Sequence, residues 1–455
     1  MSGRIASAQT DLTEGPVAGT LFFFSLPFMV STILQQLYGA TDTIIVGQYL
    51  GRAGLSAVSN GSQVMTMLYA LVIGFATGGQ VLIAQAKGAE DGEALQEIFE
   101  TLFLVVVLVS LVIGAGAILL RGQILDLLET PEEARRQTEY YLMICGAGVL
   151  FTGLYNTFSA ALRGLGDSRH PLLFVLVAAV SNLILDILFI AVFRFGVAGA
   201  ALATVIGQGI SVVFSAWFLV THAETFHLDF HFFRWRLHRT SLKLLLKLGI
   251  PMALQSGAVQ VSFLFVARMI NRLGVEVSAA FGVMNKLRSF PGYLTQGFGL
   301  GAATMMGQNL GARRTDRVSS VVRWCLLFCL VVDALAAVLY LACPVFCFRL
   351  FTADSAVLAY APMCTLVLAI ELPANVFMPA CNSLVSAQGF VKLSFTVGII
   401  DAFAGRVLFC WLLGTYFGLG AFGCFLGYII GTYITAVIVA FYYFSGLWKK
   451  RAALV

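Results

Sequence analysis

Residues 26–51 read LPFMVSTILQQLYGATDTIIVGQYLG, twenty-six residues with a single charge, Asp42. A helix needs about 20 predominantly apolar residues to cross a bilayer, and this stretch supplies them. Comparable runs recur at approximately 18–50, 54–84, 97–120, 136–160, 171–193 and 196–221, then at 244–271, 276–308, 320–346, 357–385, 393–414 and 418–446. Composition agrees with that reading. Of 455 residues, 59% are hydrophobic and only 11% charged, less than half of the roughly 25% with which soluble domains wet their surfaces. The chain is therefore read as an all-α polytopic membrane protein of twelve transmembrane helices. Soluble, disordered, collagenous and disulfide-scaffold classes are excluded.

The two halves repeat one another. A shift of 223 superimposes Leu50-Gly51 on Leu273-Gly274, Gly74-Phe75 on Gly297-Phe298, Gly78 on Gly301, Gly88-Ala89 on Gly311-Ala312 and Gly166 on Gly389. One further residue aligns Pro27 with Pro251, Gly196 with Gly420 and Gly207 with Gly431. Six helices per half make the repeats parallel, so two six-helix lobes are expected, related by a pseudo-two-fold axis along the membrane normal. That duplication is the habit of secondary transporters. The expected organisation is a cytoplasmic segment (1–17), an N-lobe (18–221), a basic amphipathic linker (222–243), a C-lobe (244–446) and a basic tail (447–455). The linker is read as an amphipathic helix lying on an anionic cytoplasmic leaflet.

Charge placement sets the orientation. With a cytoplasmic N-terminus, 17 of the 28 Lys and Arg residues fall inside and eight outside, while Lys286, Arg288 and Arg406 lie at membrane depth. The positive-inside rule thus places both termini in the cytoplasm, in a multi-pass protein of a bacterial plasma membrane. The formal net charge of +5 is dispersed in short clusters, so no nucleic-acid partner is expected. Nine cysteines without a C-x-x-C pair read as small apolar residues, and a monomer surrounded by lipid is expected.

Acidic residues at membrane depth are costly and each needs a role. Asp42 lies eight residues before the outer end of the first helix and Asp186 seven before that of the fifth; at about 1.5 Å per residue both sit some 10 to 12 Å below the external surface. Thr204 falls at the same depth, and Tyr38 and Asn182 each stand four residues, one turn, from an aspartate. Two carboxylates with Asn, Tyr and Thr make a site for a proton or for Na⁺, held chiefly by Asp42, Asp186 and Asn182. Glu371 and Arg406 are expected to pair across neighbouring helices. Asp333 and Asp401 are read as structural groups near helix ends, and Gly88 and Gly311 as the left-handed residues that close two helices. No G-x-x-x-x-G-K-[ST] frame occurs, so no nucleotide cofactor is expected and an ion gradient must drive transport.

The run at 26–51, with GFATG (74–78), LRGLGD (162–167), NLILD (182–186) and GVAGAALAT (196–204), resembles the multidrug and toxic compound extrusion (MATE) transporters, and in particular the DNA-damage-inducible protein F-like branch. The resemblance spans essentially the whole chain. It implies export of amphipathic, often cationic compounds by antiport with H⁺ or Na⁺, with alternating access between two lobes. It maps a cation or proton site onto Tyr38, Asp42, Asn182, Asp186 and Thr204. It places Gln35 and Asn156 on the substrate cavity, with Glu371 and Asn375 as candidates in the C-lobe, where Asn375 stands for the aspartate of the NorM-like branch. Bending around Pro27 is the expected hinge.

Two other readings stand behind it. Flippases that export a lipid-linked intermediate share this repeat, but their cavities need several cations for pyrophosphate. An enzyme would need a convergent catalytic set, and all five histidines lie outside the apolar runs.

Overall fold

The computed structural model describes residues 11–127, 130–226, 228–230, 235–451 and 453–455. Residues 1–10 of the expected cytoplasmic segment, and 227 and 231–234 of the linker, lie outside the described residues. Among the described residues there is no strand. The first helical stretch, Val17–Gly88, is 72 residues long and breaks at Gly51 (φ 65°, ψ −161°), giving α1 (17–50) and α2 (52–88). It is followed by α3 (Gly92–Leu119), α4 (Glu132–Gly164), α5 (Arg169–Val192), α6 (Val197–Thr221), α7 (Arg239–Asn271), α8 (Val275–Gly311), α9 (Thr315–Ala342), α10 (Ala361–Ala387), α11 (Val391–Tyr416) and α12 (Gly420–Phe444). The twelve long helices are those expected from the apolar runs. The stretch Val17–Gly88 taken as a whole, α3, α5, α6, α7, α9, α10, α11 and α12 are each long and apolar enough to cross a membrane. The helix α4 bends by 44° at Gly148, and α8 carries Glu276, Lys286 and Arg288.

The repeat extends to the backbone. Left-handed φ values occur at Gly51, Glu90, Gly166, Arg194 and Gly196, and again at Gly274, Arg313, Gly389, Gly418 and Gly420. Each member of the second set lies 223 or 224 residues after its counterpart. Glu90 and Arg313 correct the expectation for Gly88 and Gly311. The helix runs through both glycines, and the left-handed residue comes two positions later. There Asp91 N–H reaches Ala86 O at 3.1 Å and Glu90 N–H reaches Lys87 O at 3.2 Å, a closure that satisfies the last carbonyls of the helix.

Two compact units emerge. One is built mainly of Val30–Ala253, the other of Leu12–Met29 with Leu254–Leu454, so the unit boundaries fall within α1 and α7. Paired glycines make the seats. A Cβ on Gly74 would lie 2.7 Å from Ala253 N, and one on Gly297 would lie 2.9 Å from Met29 N. Backbone cannot yield at such distances, so Gly74→Val or Gly297→Val should each destabilise the protein by about 1–3 kcal/mol or more, read as a lower thermal midpoint in detergent. An unchanged midpoint would show that these helices do not pack through the glycines.

The linker differs from the expected amphipathic helix. Residues 228–230 and 235–238 carry no regular secondary structure and instead form a strap on the start of α3. Trp235 packs edge-on against Phe99 (5.6 Å) and Phe103 (4.9 Å). Asp229 and Gln96 exchange two hydrogen bonds of 2.9 Å, and His238 meets Glu97 and Glu100. Burying the indole outweighs helix propensity over so short a stretch. Trp235→Ala should speed proteolysis within 222–238 by about tenfold, since local opening governs cleavage there. An unchanged cleavage rate would argue that the strap is not held by its aromatic side chain.

Candidate functional site

The helices α1, α5 and α6 of the first unit bring together the five residues expected to share a site. The carboxyl groups of Asp42 and Asp186 lie within electrostatic reach of one another. The Tyr38 hydroxyl lies close to Thr204 and within electrostatic reach of both acids. Asn182 Nδ2 donates to Thr204 Oγ1 at 3.4 Å, and that hydroxyl donates to Ala200 O at 3.0 Å. Asp186 and Asn182 are fully buried, at 0% and 2% exposure. Local structure explains the convergence: Asp42 and Tyr38 lie one turn apart on α1, as do Asp186 and Asn182 on α5. Directly after Asp186 the helix widens into a π-helical stretch, Ile187–Val192, a feature that often marks functional sites because it re-aims side chains.

Four oxygens of the cluster lack a hydrogen-bond partner among the described residues: Asp42 Oδ1, both carboxylate oxygens of Asp186 and Asn182 Oδ1. Buried polar atoms are nearly always satisfied, so a cluster of orphans all of one type describes an unfilled demand for positive charge. Oxygens alone, with no sulfur or imidazole, suit a hard cation or a proton.

Three residues around this pocket carry no signal in the sequence that separates them from the apolar background. Tyr69, Tyr141 and Cys145 lie within electrostatic reach of Tyr38, and Tyr141 and Cys145 also of Asp42. Aromatic and cysteine side chains read as core or lipid-facing. The seat of Tyr141 depends on Gly61, where an added Cβ would fall on its ring.

Among the other expected site residues, Gln35 lies beside Tyr155, and Asn156 Nδ2 donates to Thr152 O of its own helix at 2.8 Å. Both belong to the first unit. Glu371 and Asn375 belong to the second and are engaged there. Pro27 lies within α1, where the helix continues unbroken to Leu50.

The expected Glu371–Arg406 pair is corrected. Glu371 is held by Arg288 of α8, whose Nη2 lies 2.7 Å from Oε1 and whose Nε lies 2.8 Å from both oxygens. Thr432 Oγ1 adds a hydrogen bond of 2.9 Å. Arg406 instead pairs with Asp401 at 2.8 Å. The reason is local: residues 400–408 form a π-helix, which sets residues five apart on one face, so Arg406 finds its partner on its own helix. Tyr428 lies against both guanidinium groups, at 5.4 and 5.2 Å. Asp333 and Asp401 are likewise not at helix ends. Asp333 is buried in the body of α9 and takes hydrogen bonds from Asn375 Nδ2 at 3.1 and 3.4 Å.

Comparison with known proteins follows the same lines. The family profile MatE matches residues 27–188 and 251–412, once in each half of the chain. The probable multidrug resistance protein YpnP of Bacillus subtilis is 28% identical over 440 residues, covering 96% of this chain and 97% of that protein. The DNA damage-inducible protein F of Escherichia coli is 27% identical over 315 residues, 67% of this chain and 66% of its own. A solved structure described as the outward-facing conformation of a multidrug resistance MATE family transporter of the MOP superfamily superimposes with a TM-score of 0.90 at 21% identity, over 98% of this chain and all of that one. That likeness is one of fold, two lobes of six helices.

Proposed function

The chain belongs to the MatE family of multi-pass membrane transporters, and from that premise we propose that it exports amphipathic, cationic organic compounds by antiport with H⁺ or Na⁺, using Asp42 and Asp186 as the coupling site. It is a transporter rather than an enzyme. The observation that carries the proposal is the carboxyl pair, Asp186 buried and Asp42 half-buried, of whose four oxygens three are buried without a hydrogen-bond partner among the described residues. A paired or fully hydrogen-bonded set would be structural, whereas orphaned oxygens at membrane depth are stable only while a cation or proton is present. Tyr38, Asn182 and Thr204 complete the oxygen set, and Gln35 and Asn156 extend a polar surface toward substrate. Alternating access follows: cation binding from outside changes the packing of α1 around Pro27 and releases substrate, and export resets the site. Both termini lie in the cytoplasm of a bacterial plasma membrane.

Export of a lipid-linked pyrophosphate is the weaker reading. Arg288 and Arg406 are consumed by Glu371 and Asp401, leaving Lys286 as the membrane-depth cation outside an ion pair among the described residues.

Proteoliposomes loaded with a fluorescent organic cation, given either a Na⁺ or a pH gradient, test the proposal. Efflux driven by one of the two gradients is expected. No gradient-driven movement of several unrelated cations by folded protein would overturn it.

A further inference from the structure

Asp333 is a buried acid that the proposed cycle leaves unused. It stands in α9, nine residues before the end of the helix at Ala342, with 1% of its surface exposed. The groups that face it can be named helix by helix. From α10 come Asn375, which donates to both of its oxygens, and Glu371 one turn away. Glu371 in turn is held by Arg288 of α8. On α9 itself lie Cys329, one turn below, and Tyr340, whose hydroxyl donates to Leu287 O at 2.7 Å. Among the described residues no Lys, Arg or His makes an ion pair with Asp333.

An ionised carboxylate in that position has a single amide donor, no counter-charge and a second carboxylate beside it. Buried charge persists only when it is paired. Sodium does not answer the need. Asn375 turns its amide nitrogen toward Asp333, so a metal ion would find two oxygens of one carboxylate, where a hard cation takes several oxygen ligands. A proton answers it completely, since it cancels the charge and leaves an oxygen to accept from Asn375.

The repeat strengthens the argument. Its shift of 223 puts Ser110 at the position of Asp333, while a shift of 223 or 224 puts Asp186 on Phe409 or Cys410 and Asp42 on Phe265 or Val266. The second half has thus lost the carboxyl pair of the first and acquired an acid on a different helix.

We propose that Asp333 is a second proton-binding site, in the C-terminal half, which loads and releases its proton separately from Asp42 and Asp186. The proposal deepens the antiport reading, from which its place in a transport cycle is taken.

Two measurements on the full-length protein test it. Dicyclohexylcarbodiimide modifies only the protonated carboxyl, and peptide mapping by mass spectrometry should find it on Asp333 at low pH and not at high pH, equally in wild type and in Asp42→Asn. In weakly buffered solution, ethidium binding to Asp333→Asn should release about one proton fewer than binding to wild type, because proton release counts the groups linked to the ligand. Absence of the label at every pH at which Asp42 or Asp186 is modified would overturn the proposal, as would wild-type proton release from folded Asp333→Asn. If that variant fails to fold, labelling of the wild type decides alone. Labelling of Asp333 with no transport dependence on Asp42 or Asp186 would sink the coupling-site reading and leave this one standing.

Discussion

Asp42→Asn and Asp186→Asn are each expected to reduce gradient-driven efflux by about 100-fold, the upper end of ordinary coupling free energies between two ligands, while the protein still inserts and folds. Asparagine keeps the volume and removes the charge. Because three of the pair's four oxygens are buried without a hydrogen-bond partner among the described residues, neutralising one member relieves a cost, so thermal midpoints of the variants should equal or exceed that of the wild type. This combination separates coupling from structure. If the aspartates only tied helices together, the variants would lose stability and keep transport in proportion to the folded fraction. Flux in reconstituted vesicles, normalised to folded protein, reads one quantity, and a melting curve reads the other. Thr204→Val should do less, since Thr204 Oγ1 accepts from Asn182 and bears no charge.

The second large effect is on folding. Removing one partner of a buried ion pair leaves an uncompensated charge and costs about 3–5 kcal/mol, whereas replacing both with apolar residues of similar size is often tolerated. Glu371 is 4% exposed and receives Arg288 through two donors. Arg288→Met and Glu371→Leu should therefore each lower the yield of folded protein sharply, and the double variant should recover most of it. Reversal of charge at Glu371 and Arg406 together should not rescue, since Arg406 belongs to Asp401. Rescue by that exchange, measured as monodisperse protein in detergent, would return Glu371 to Arg406 and undo the correction made above.

The contrast between these two clusters shows what the sequence could convey. Twelve apolar runs separated by Gly and charge are legible because a bilayer imposes one length and one element on every span. The five residues around Asp42 are legible too. They lie on ordinary α-helical turns, where a spacing of four and a depth count from the helix end suffice. Arg406 was hidden by the π-helix at 400–408, because a five-residue spacing has no meaning in a pattern read at 3.6. Asp333 was hidden for another reason: an acid near the second half of an apolar run reads as a helix end until its neighbour Asn375 is seen across α10. The strap formed by 228–230 and 235–238 is set by what Trp235 finds on α3, a tertiary fact that no local composition contains.

The most direct test of the central claim is release of bound substrate by the coupling ion in purified protein. Ethidium bound to the wild type in detergent should dissociate on addition of Na⁺ or on acidification, whichever is the coupling ion, and Asp42→Asn should bind ethidium but fail to release it. Equal release from wild type and Asp42→Asn would contradict the account and move the coupling site away from the Asp42–Asp186 pair.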